Sequence, residues 1–168
     1  MSFQKKGKGI IMPARYWLKG EYTHTIDPKG RTYLPARFRD VLGDNVVIGL
    51  GLSCDHMVIY TLERYDEIAR NIDDIANQAE EGVEELRDFF YNNSYDVELD
   101  KSGRLTLPTN LRNMFDLSDE IIITGDGDKA KIWKKETYFD RKTTGRGVDI
   151  QKIAEQYKIF ARKDDDNV

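Results

Sequence analysis

The chain has 168 residues, of which 39% are hydrophobic and 33% charged, so it can bury a core and stay soluble. No segment approaches the roughly 18 consecutive apolar residues of a transmembrane helix, and a single cysteine, Cys54, excludes an internal disulfide or a zinc site built on a cysteine pair. We expect a cytoplasmic protein in which Cys54 is a buried or half-buried free thiol.

Charge is segregated along the chain, although the net charge is only −4. Residues 1–39 carry nine Lys or Arg against two acids, whereas residues 61–98 carry twelve acids against three Arg. The mildly acidic total therefore does not exclude a nucleic-acid partner. Residues 1–17 are expected to form a flexible basic leader, with an arm that contacts DNA phosphates as the alternative.

Residues 22–39 predict a strand, a tight turn, a second strand and a short helix. The chain reverses at an Asp-Pro-Lys-Gly sequence, because proline presets φ and Gly30 can adopt a positive φ. Asp27 and Arg31 flank this turn closely enough to bridge it. Pro35 ends the second strand, since a central strand needs every N–H group.

Two further strands and an acidic helical region follow this turn. Apolar runs at residues 46–50 and 57–60 predict buried strands, and Thr61 is placed to cap the next helix. From Leu62 onward, apolar residues recur every three or four positions, as in an amphipathic helix. The acidic side of the helices up to residue 94 is interpreted as a solvated surface. A contact with the basic face of a neighbouring subunit is the alternative.

The same landmarks recur once, 73 positions further along the chain. The corresponding pairs are Tyr22 and Tyr95, Asp27 and Asp100, Gly30 and Gly103, Arg31 and Arg104, Leu34 and Leu107, Pro35 and Pro108, and Arg39 and Arg112. Weaker similarity continues through the following strands and helix. The chain therefore contains two copies of one module, and a last amphipathic helix follows the second copy.

An Asp-x-x-x-Arg turn followed by a proline-containing strand and a Leu/Phe-Arg helix, present twice, resembles the bacterial MraZ family. The first copy matches from Gly20-Glu21-Tyr22 to Phe38-Arg39, and the second through Glu98-Leu99-Asp100 and Gly103-Arg104. The resemblance implies a tandem form of the AbrB/SpoVT-like swapped-hairpin β-barrel. It also implies a sequence-specific DNA-binding regulator of the division and cell-wall gene cluster, assembled as a ring that recognises tandem short repeats.

We therefore predict an α+β fold in which two tandem AbrB-like swapped-hairpin modules form a small β-barrel with flanking helices. A single hairpin would expose its strand edges, whereas two interlocked copies bury them. The predicted division is a leader at residues 1–17, a first module at 18–66, a helical linker at 67–94, a second module at 95–142, and a C-terminal helix with an acidic tail at 143–168.

Arg31 and Arg104 are the main candidates for DNA contact, because arginine pairs bidentately with phosphate or guanine. The structural alternative is an ion pair with the aspartate of the same turn. Arg39 and Arg112 could contact DNA or cap their helices. The full set of expected DNA-binding residues is Arg31, Lys29, Arg37, Arg39, His24, Arg104 and Arg112, and the expected structural turn residues are Asp27, Gly30, Asp100 and Gly103.

The first copy is the better candidate for DNA contact, because the second is poorer in cations. Three residues of the first copy, His24, Lys29 and Arg37, are replaced by Val97, Ser102 and Asn110 in the second.

An enzyme has little support in the sequence. The only histidines, His24 and His56, have no partner at a metal-ligand spacing, and no Ser/His/Asp or Cys/His arrangement is in register. We predict no catalytic residue, metal or cofactor, and expect double-stranded DNA and further copies of the chain as partners. An antitoxin-type DNA binder and an oligomeric scaffold with purely structural Asp-Arg turns are the alternatives.

Overall fold

The fold repeats one succession of short strands and helices. The computed structural model of the protein describes residues 17–78, 81–144 and 148–161, so most of the expected leader and the acidic tail lie outside the described residues. Within these ranges the elements are β1 Glu21–Thr25, β2 Arg31–Tyr33, α1 Ala36–Leu42, β3 Asn45–Leu50, β4 Met57–Thr61, α2 Leu62–Ala76, α3 Val83–Asn92, β5 Ser94–Glu98, β6 Arg104–Thr106, α4 Thr109–Met114, β7 Glu120–Asp126, β8 Lys129–Lys134, α5 Lys135–Thr144 and α6 Ile150–Gln156. The strands pair antiparallel, which confirms the predicted α+β class. No helix in these ranges has both the length and the apolar character needed to cross a membrane.

Each predicted turn is closed by backbone hydrogen bonds typical of a three-residue hairpin loop. In the first turn the Gly30 N–H donates to Asp27 O at 2.8 Å, and the Asp27 N–H donates to Arg31 O at 2.9 Å. Gly30 has φ +80°, and Gly103 at the same place in the second turn has φ +77°. Glycine is favoured at both positions because a Cβ atom makes this backbone conformation unfavourable.

The strands on either side of a turn continue into different sheets. From the first module β1 pairs with β7 of the second, and from the second module β5 pairs with β3 of the first. The six-stranded sheet that results has the order β1-β7-β8-β4-β3-β5, while β2 and β6 form a separate two-stranded ribbon. Each module thus completes the sheet of the other, which confirms the prediction of two swapped modules.

One hydrophobic core lies between the six-stranded sheet and the β2–β6 ribbon. Leu105 of the ribbon, Phe38 of α1 and Leu111 of α4 pack with isoleucines of the sheet, namely Ile48, Ile59, Ile121, Ile123 and Ile132. Fully burying one such side chain stabilises the fold by about 1.5–3 kcal/mol. Hydrogen bonding between the described strands thus gives two sheets around one core, with β1 and β5 at the edges of the larger sheet.

Helices cover the other face of the six-stranded sheet. Along the strands, the residues that alternate with the core residues are also buried, among them Val47, Val58, Ile122 and Trp133. Contacts of α2 with β3 and β4, of α5 with β7 and β8, and of Phe90 in α3 with Tyr60 explain this burial. The Arg64 N–H donates to Thr61 Oγ1 at 3.1 Å, so Thr61 caps α2 as predicted. The acidic helices α2 and α3 therefore lie on the side of the sheet that faces away from the ribbon.

Two parts of the chain are more exposed than their sequence predicts. Cys54, expected to be at least half-buried, is exposed, because it lies in the loop between β3 and β4 at a φ of +57°. Helix α6 ends at Gln156, and the apolar residues Ile150, Tyr157 and Phe160 are all exposed.

Candidate nucleic-acid interface

A carboxylate in each turn holds the arginine that follows it. Arg31 Nε donates to Asp27 Oδ2 at 2.6 Å, and Asp27 Oδ1 accepts the backbone N–H groups of Lys29 and Arg31, each at 2.9 Å. In the second turn, Arg104 Nε donates to Asp100 Oδ2 at 2.7 Å. The hydrogen bond from the backbone N–H of the arginine is the main reason why the pKa of each aspartate lies below its usual value. Both carboxylates are therefore ionised at neutral pH, and each orients a guanidinium group.

The aspartate engages only one nitrogen of each guanidinium group. Among the residues that the structure describes, the Nη groups of Arg31 and of Arg104 have no hydrogen-bond partner. Both arginine side chains are 28% exposed, so solvent or a ligand can reach them. Guanidinium groups held in this way are suited to phosphate oxygens or to O6 and N7 of guanine. A structural ion pair explains the Nε contact but leaves the Nη donors without a role.

The β2–β6 ribbon places both arginines on one face. Arg31 lies opposite Thr106, and Arg104 lies opposite Tyr33. Side chains of a strand alternate between faces, so these four share the face opposite the buried pair of Thr32 and Leu105. The main DNA-binding candidate of each copy, Arg31 and Arg104, thus lies on one surface, which we call the ribbon face and define as Arg31, Tyr33, Arg104 and Thr106.

Arg39 and Arg112 each reach the turn of the opposite module. A Cβ atom built on Gly30 would overlap Arg112 Nη1, and one built on Gly103 would overlap Arg39 Nη1. Both arginines lie in the last turn of their helices and are half-buried. An arginine of the second module therefore lies against the first turn, and an arginine of the first module lies against the second turn.

The remaining predicted site residues differ in how they are placed. Lys29 in the first turn and Arg37 on α1 are exposed. The residue that replaces Arg37 in the second copy, Asn110, donates to Tyr95 Oη at 3.1 Å. His24 is half-buried on β1 opposite the buried Ile121, and its burial lowers its pKa. The structure thus leaves Lys29 and Arg37 accessible and sets His24 on the core side of β1, apart from the ribbon face.

Two residues of the ribbon face, Tyr33 and Thr106, are absent from the sequence prediction. Tyr33 is 49% exposed. Its alternation with the buried Thr32 could have placed it beside Arg31, but its position opposite Arg104 depends on pairing between the two copies.

Outside this surface, the second histidine belongs to a packed cluster. The His56 ring stacks on Trp133 at 4.3 Å between centroids, and His56 Nδ1 lies 2.7 Å from Asp55 Oδ1. Burial lowers the pKa of His56, so the ring is neutral at neutral pH. In the described ranges, no group of three or more His, Cys, Asp or Glu side chains is placed to hold a metal ion.

Comparisons with known proteins cover both copies of the module. The family described as "MraZ protein, putative antitoxin-like" matches residues 17–86 and 90–144. A protein of Thermoanaerobacter pseudethanolicus named "Transcriptional regulator MraZ" is 33% identical over 138 residues, which covers 82% of this chain and 94% of that protein. Proteins with the same name in Roseiflexus sp. and Caldanaerobacter subterraneus are 38% identical over 115 residues and 31% identical over 143 residues, covering 68% and 85% of this chain and 78% and 98% of theirs.

Proposed function

We propose that this chain, which belongs to the MraZ family, is a sequence-specific DNA-binding transcriptional regulator that represses its own operon of division and cell-wall genes. Its partners are double-stranded promoter DNA, bound at tandem short repeats, and further copies of the chain in a ring-like homo-oligomer. It works in the cytoplasm, associated with the nucleoid, as a regulator and not as an enzyme. The observation that carries the proposal is the pair of aspartate-held arginines on the ribbon face.

The two aspartates prepare the arginines for a ligand before it binds. Ordering a flexible arginine at an interface costs side-chain entropy, and the contacts from Arg31 to Asp27 and from Arg104 to Asp100 already order these side chains in the free protein. The Nη donors can then bind DNA with little further loss of side-chain conformational entropy. Exposed ion pairs add little to stability, so ligand binding is a better reason for this arrangement than folding.

The distribution of charge supports the same surface. Lys29 in the first turn and Arg37 after it are exposed. Arg39 and Arg112 lie against the two turns. The acidic α2 and α3 lie beyond the six-stranded sheet. A duplex approaching the ribbon therefore meets cations first and stays away from most of the carboxylates, as phosphate attraction requires.

A ring of copies would make up for the small size of one ribbon. Each ribbon offers two three-residue strands, which can contact only a few base pairs. When copies are linked, binding of one ribbon raises the effective concentration of the next at an adjacent repeat. Tandem short repeats in a promoter are the DNA that such an assembly would select.

The test is fluorescence anisotropy of the full chain with the duplex upstream of its own gene and with a scrambled duplex, over a salt series. We expect the native duplex to be preferred at physiological salt, and Arg31→Ala to lose about 5- to 150-fold of that preference. Arg70→Ala is the matched control, because it removes the same charge from a side chain 76% exposed on the acidic α2. This control should keep the preference.

Two further readouts separate regulation from a scaffold role. Far-UV circular dichroism and light scattering should show that Arg31→Ala keeps its fold and oligomer size, and a promoter fusion should be derepressed. Loss of fold in Arg31→Ala, or equal affinity for native and scrambled duplexes in the unaltered chain, would favour the scaffold. Decreased expression from the promoter in the variant would make the protein an activator.

A further inference from the structure

The β2–β6 ribbon has a local two-fold axis in its backbone. A shift of 73 positions converts Arg31, Thr32 and Tyr33 into Arg104, Leu105 and Thr106. Because Arg31 pairs with Thr106 and Tyr33 pairs with Arg104, the same rotation that exchanges the two strands exchanges these two pairs. The axis therefore passes between Thr32 and Leu105, and the two aspartate-held arginines are equivalent.

The side chains that lie opposite the two arginines break this symmetry. Tyr33 follows Arg31 by two residues and lies directly opposite Arg104, where Cβ atoms are about 4.5–5.5 Å apart. The equivalent place, opposite Arg31, holds the much shorter Thr106. Tyr33 is 49% exposed, and within the described residues its hydroxyl group has no hydrogen-bond partner. One end of the ribbon face thus carries a large ring with an available hydroxyl, and the other does not.

This asymmetry matters because of how such a ribbon fits DNA. The major groove of B-DNA admits a two-stranded β-ribbon, and residues on the inserted face contact base edges. Lys29 and Arg37 also lack cationic counterparts in the second copy, but charges of this kind bind phosphates and carry no sequence information. Among the differences between the two copies, the one at Tyr33 and Thr106 lies on the ribbon face itself.

We propose that Tyr33 is a specificity-determining residue that makes each ribbon read DNA in one direction, so that the half-site beneath Tyr33 differs from the half-site beneath Thr106. This inference rests on the proposed function. A symmetric ribbon with two equivalent ends would select a self-complementary site. With Tyr33 at one end, the two orientations of the ribbon on a site differ in contacts and therefore in affinity.

The experiment selects binding sites for the full chain from a pool of random duplexes and then measures three designed duplexes by anisotropy. One is the selected site. The second repeats the half-site beneath Thr106 in inverted form, and the third does the same with the half-site beneath Tyr33. The unaltered chain should prefer the selected site over both symmetric duplexes by about fivefold or more, the lower bound for one mismatched base pair.

Two reciprocal variants test whether Tyr33 sets the direction in which the ribbon reads DNA. Tyr33→Thr makes both ends alike and should bind the Thr106-type symmetric duplex at least as tightly as the selected site. Thr106→Tyr should do the same with the Tyr33-type duplex. It replaces only the exposed side chain of Thr106 and removes nothing from the core. Threonine and tyrosine both favour strands, so circular dichroism should be unchanged.

The outcomes distinguish this inference from the function on which it rests. If the unaltered chain selects a site that is already self-complementary, or if both variants keep the ranking of the unaltered chain, the role of Tyr33 is wrong while sequence-specific binding stands. If the unaltered chain selects no site at all, the proposed function fails and the role of Tyr33 fails with it.

Discussion

Substituting Gly30 by alanine tests whether the arginine that crosses from the second module contributes to DNA binding. Gly30 combines a φ of +80° with direct contact to the guanidinium group of Arg112, since a Cβ atom would lie 2.8 Å from Arg112 Cζ. Gly82 has a nearly equal φ of +79°, and among the described residues nothing lies within 4 Å of a Cβ atom built on it. Gly82→Ala therefore imposes a similar backbone strain without displacing an arginine.

Backbone strain should lower stability in both variants, whereas displacement of Arg112 should occur in Gly30→Ala alone. Left-handed backbone costs a residue with a Cβ atom about 1–2 kcal/mol, which lowers the melting temperature of a chain this long by about 2–8 °C. We expect both variants to lose stability in that range. The guanidinium of Arg112 is the end of a flexible side chain, so it can move away from the added methyl group at little further cost. It then no longer lies over the first turn.

Of the two glycine variants, only Gly30→Ala should therefore bind DNA more weakly. The slope of log affinity against log salt concentration should flatten by about 0.9 if one phosphate contact is lost, whereas Gly82→Ala keeps the slope of the unaltered chain. Arg112→Ala should flatten the slope equally, and combining it with Gly30→Ala should flatten it no further, because both changes remove one contact. An unchanged slope in Gly30→Ala would show that Arg112 does not contact DNA.

Two further predictions concern stability. Thr32 is 1% exposed and its Oγ1 has no hydrogen-bond partner among the described residues, so Thr32→Val should stabilise the protein by about 1 kcal/mol in chemical denaturation; a loss of stability would mean that the hydroxyl is satisfied. Burial would raise the pKa of Asp55, but hydrogen bonds from Ser53, His56 and Arg141 outweigh it and lower that pKa to about 2. Asp55 therefore contributes about 2 kcal/mol above the unfolded pKa of 3.8, and this contribution is lost as the pH falls towards 2. In Asp55→Asn, denaturation measured from pH 6 to pH 2 should show lower stability near neutrality and a weaker loss on acidification, and parallel curves for the two proteins would contradict the assignment.

Local rules were sufficient for much of this fold. The turns were predictable because proline, glycine and aspartate each have a conformational preference that acts within a few residues, and the Thr61 cap follows from the same kind of rule. The expectation for Cys54 was wrong because a preference for burial says nothing about a loop position. The identity of the family was also readable, because the turn sequence occurs twice at a fixed spacing.

The arrangement of the site depends on contacts between the copies, which no local rule supplies. Arg39 and Arg112 were predicted to contact DNA or to cap their helices, and the turn against which each one lies is set by the exchange of β1 and β5 between modules. Tyr33 was missed for the same reason, since only the register of β2 with β6 brings it opposite Arg104. His24 was grouped with the turn because it is close in sequence, yet its strand turns it towards the core.

The pair at the centre of the ribbon shows what a fused chain can do that two identical chains cannot. In a symmetric dimer, the residues on either side of the axis would be the same, so two threonines or two leucines would face each other. Here Thr32 lies opposite Leu105, both buried, and the smaller side chain can leave room for the larger. The same freedom applies on the opposite face, where Tyr33 and Thr106 differ while both aspartate-held arginines are kept. Fusion of the two copies therefore allows the core and the ribbon face to become asymmetric without loss of the turns that position the arginines.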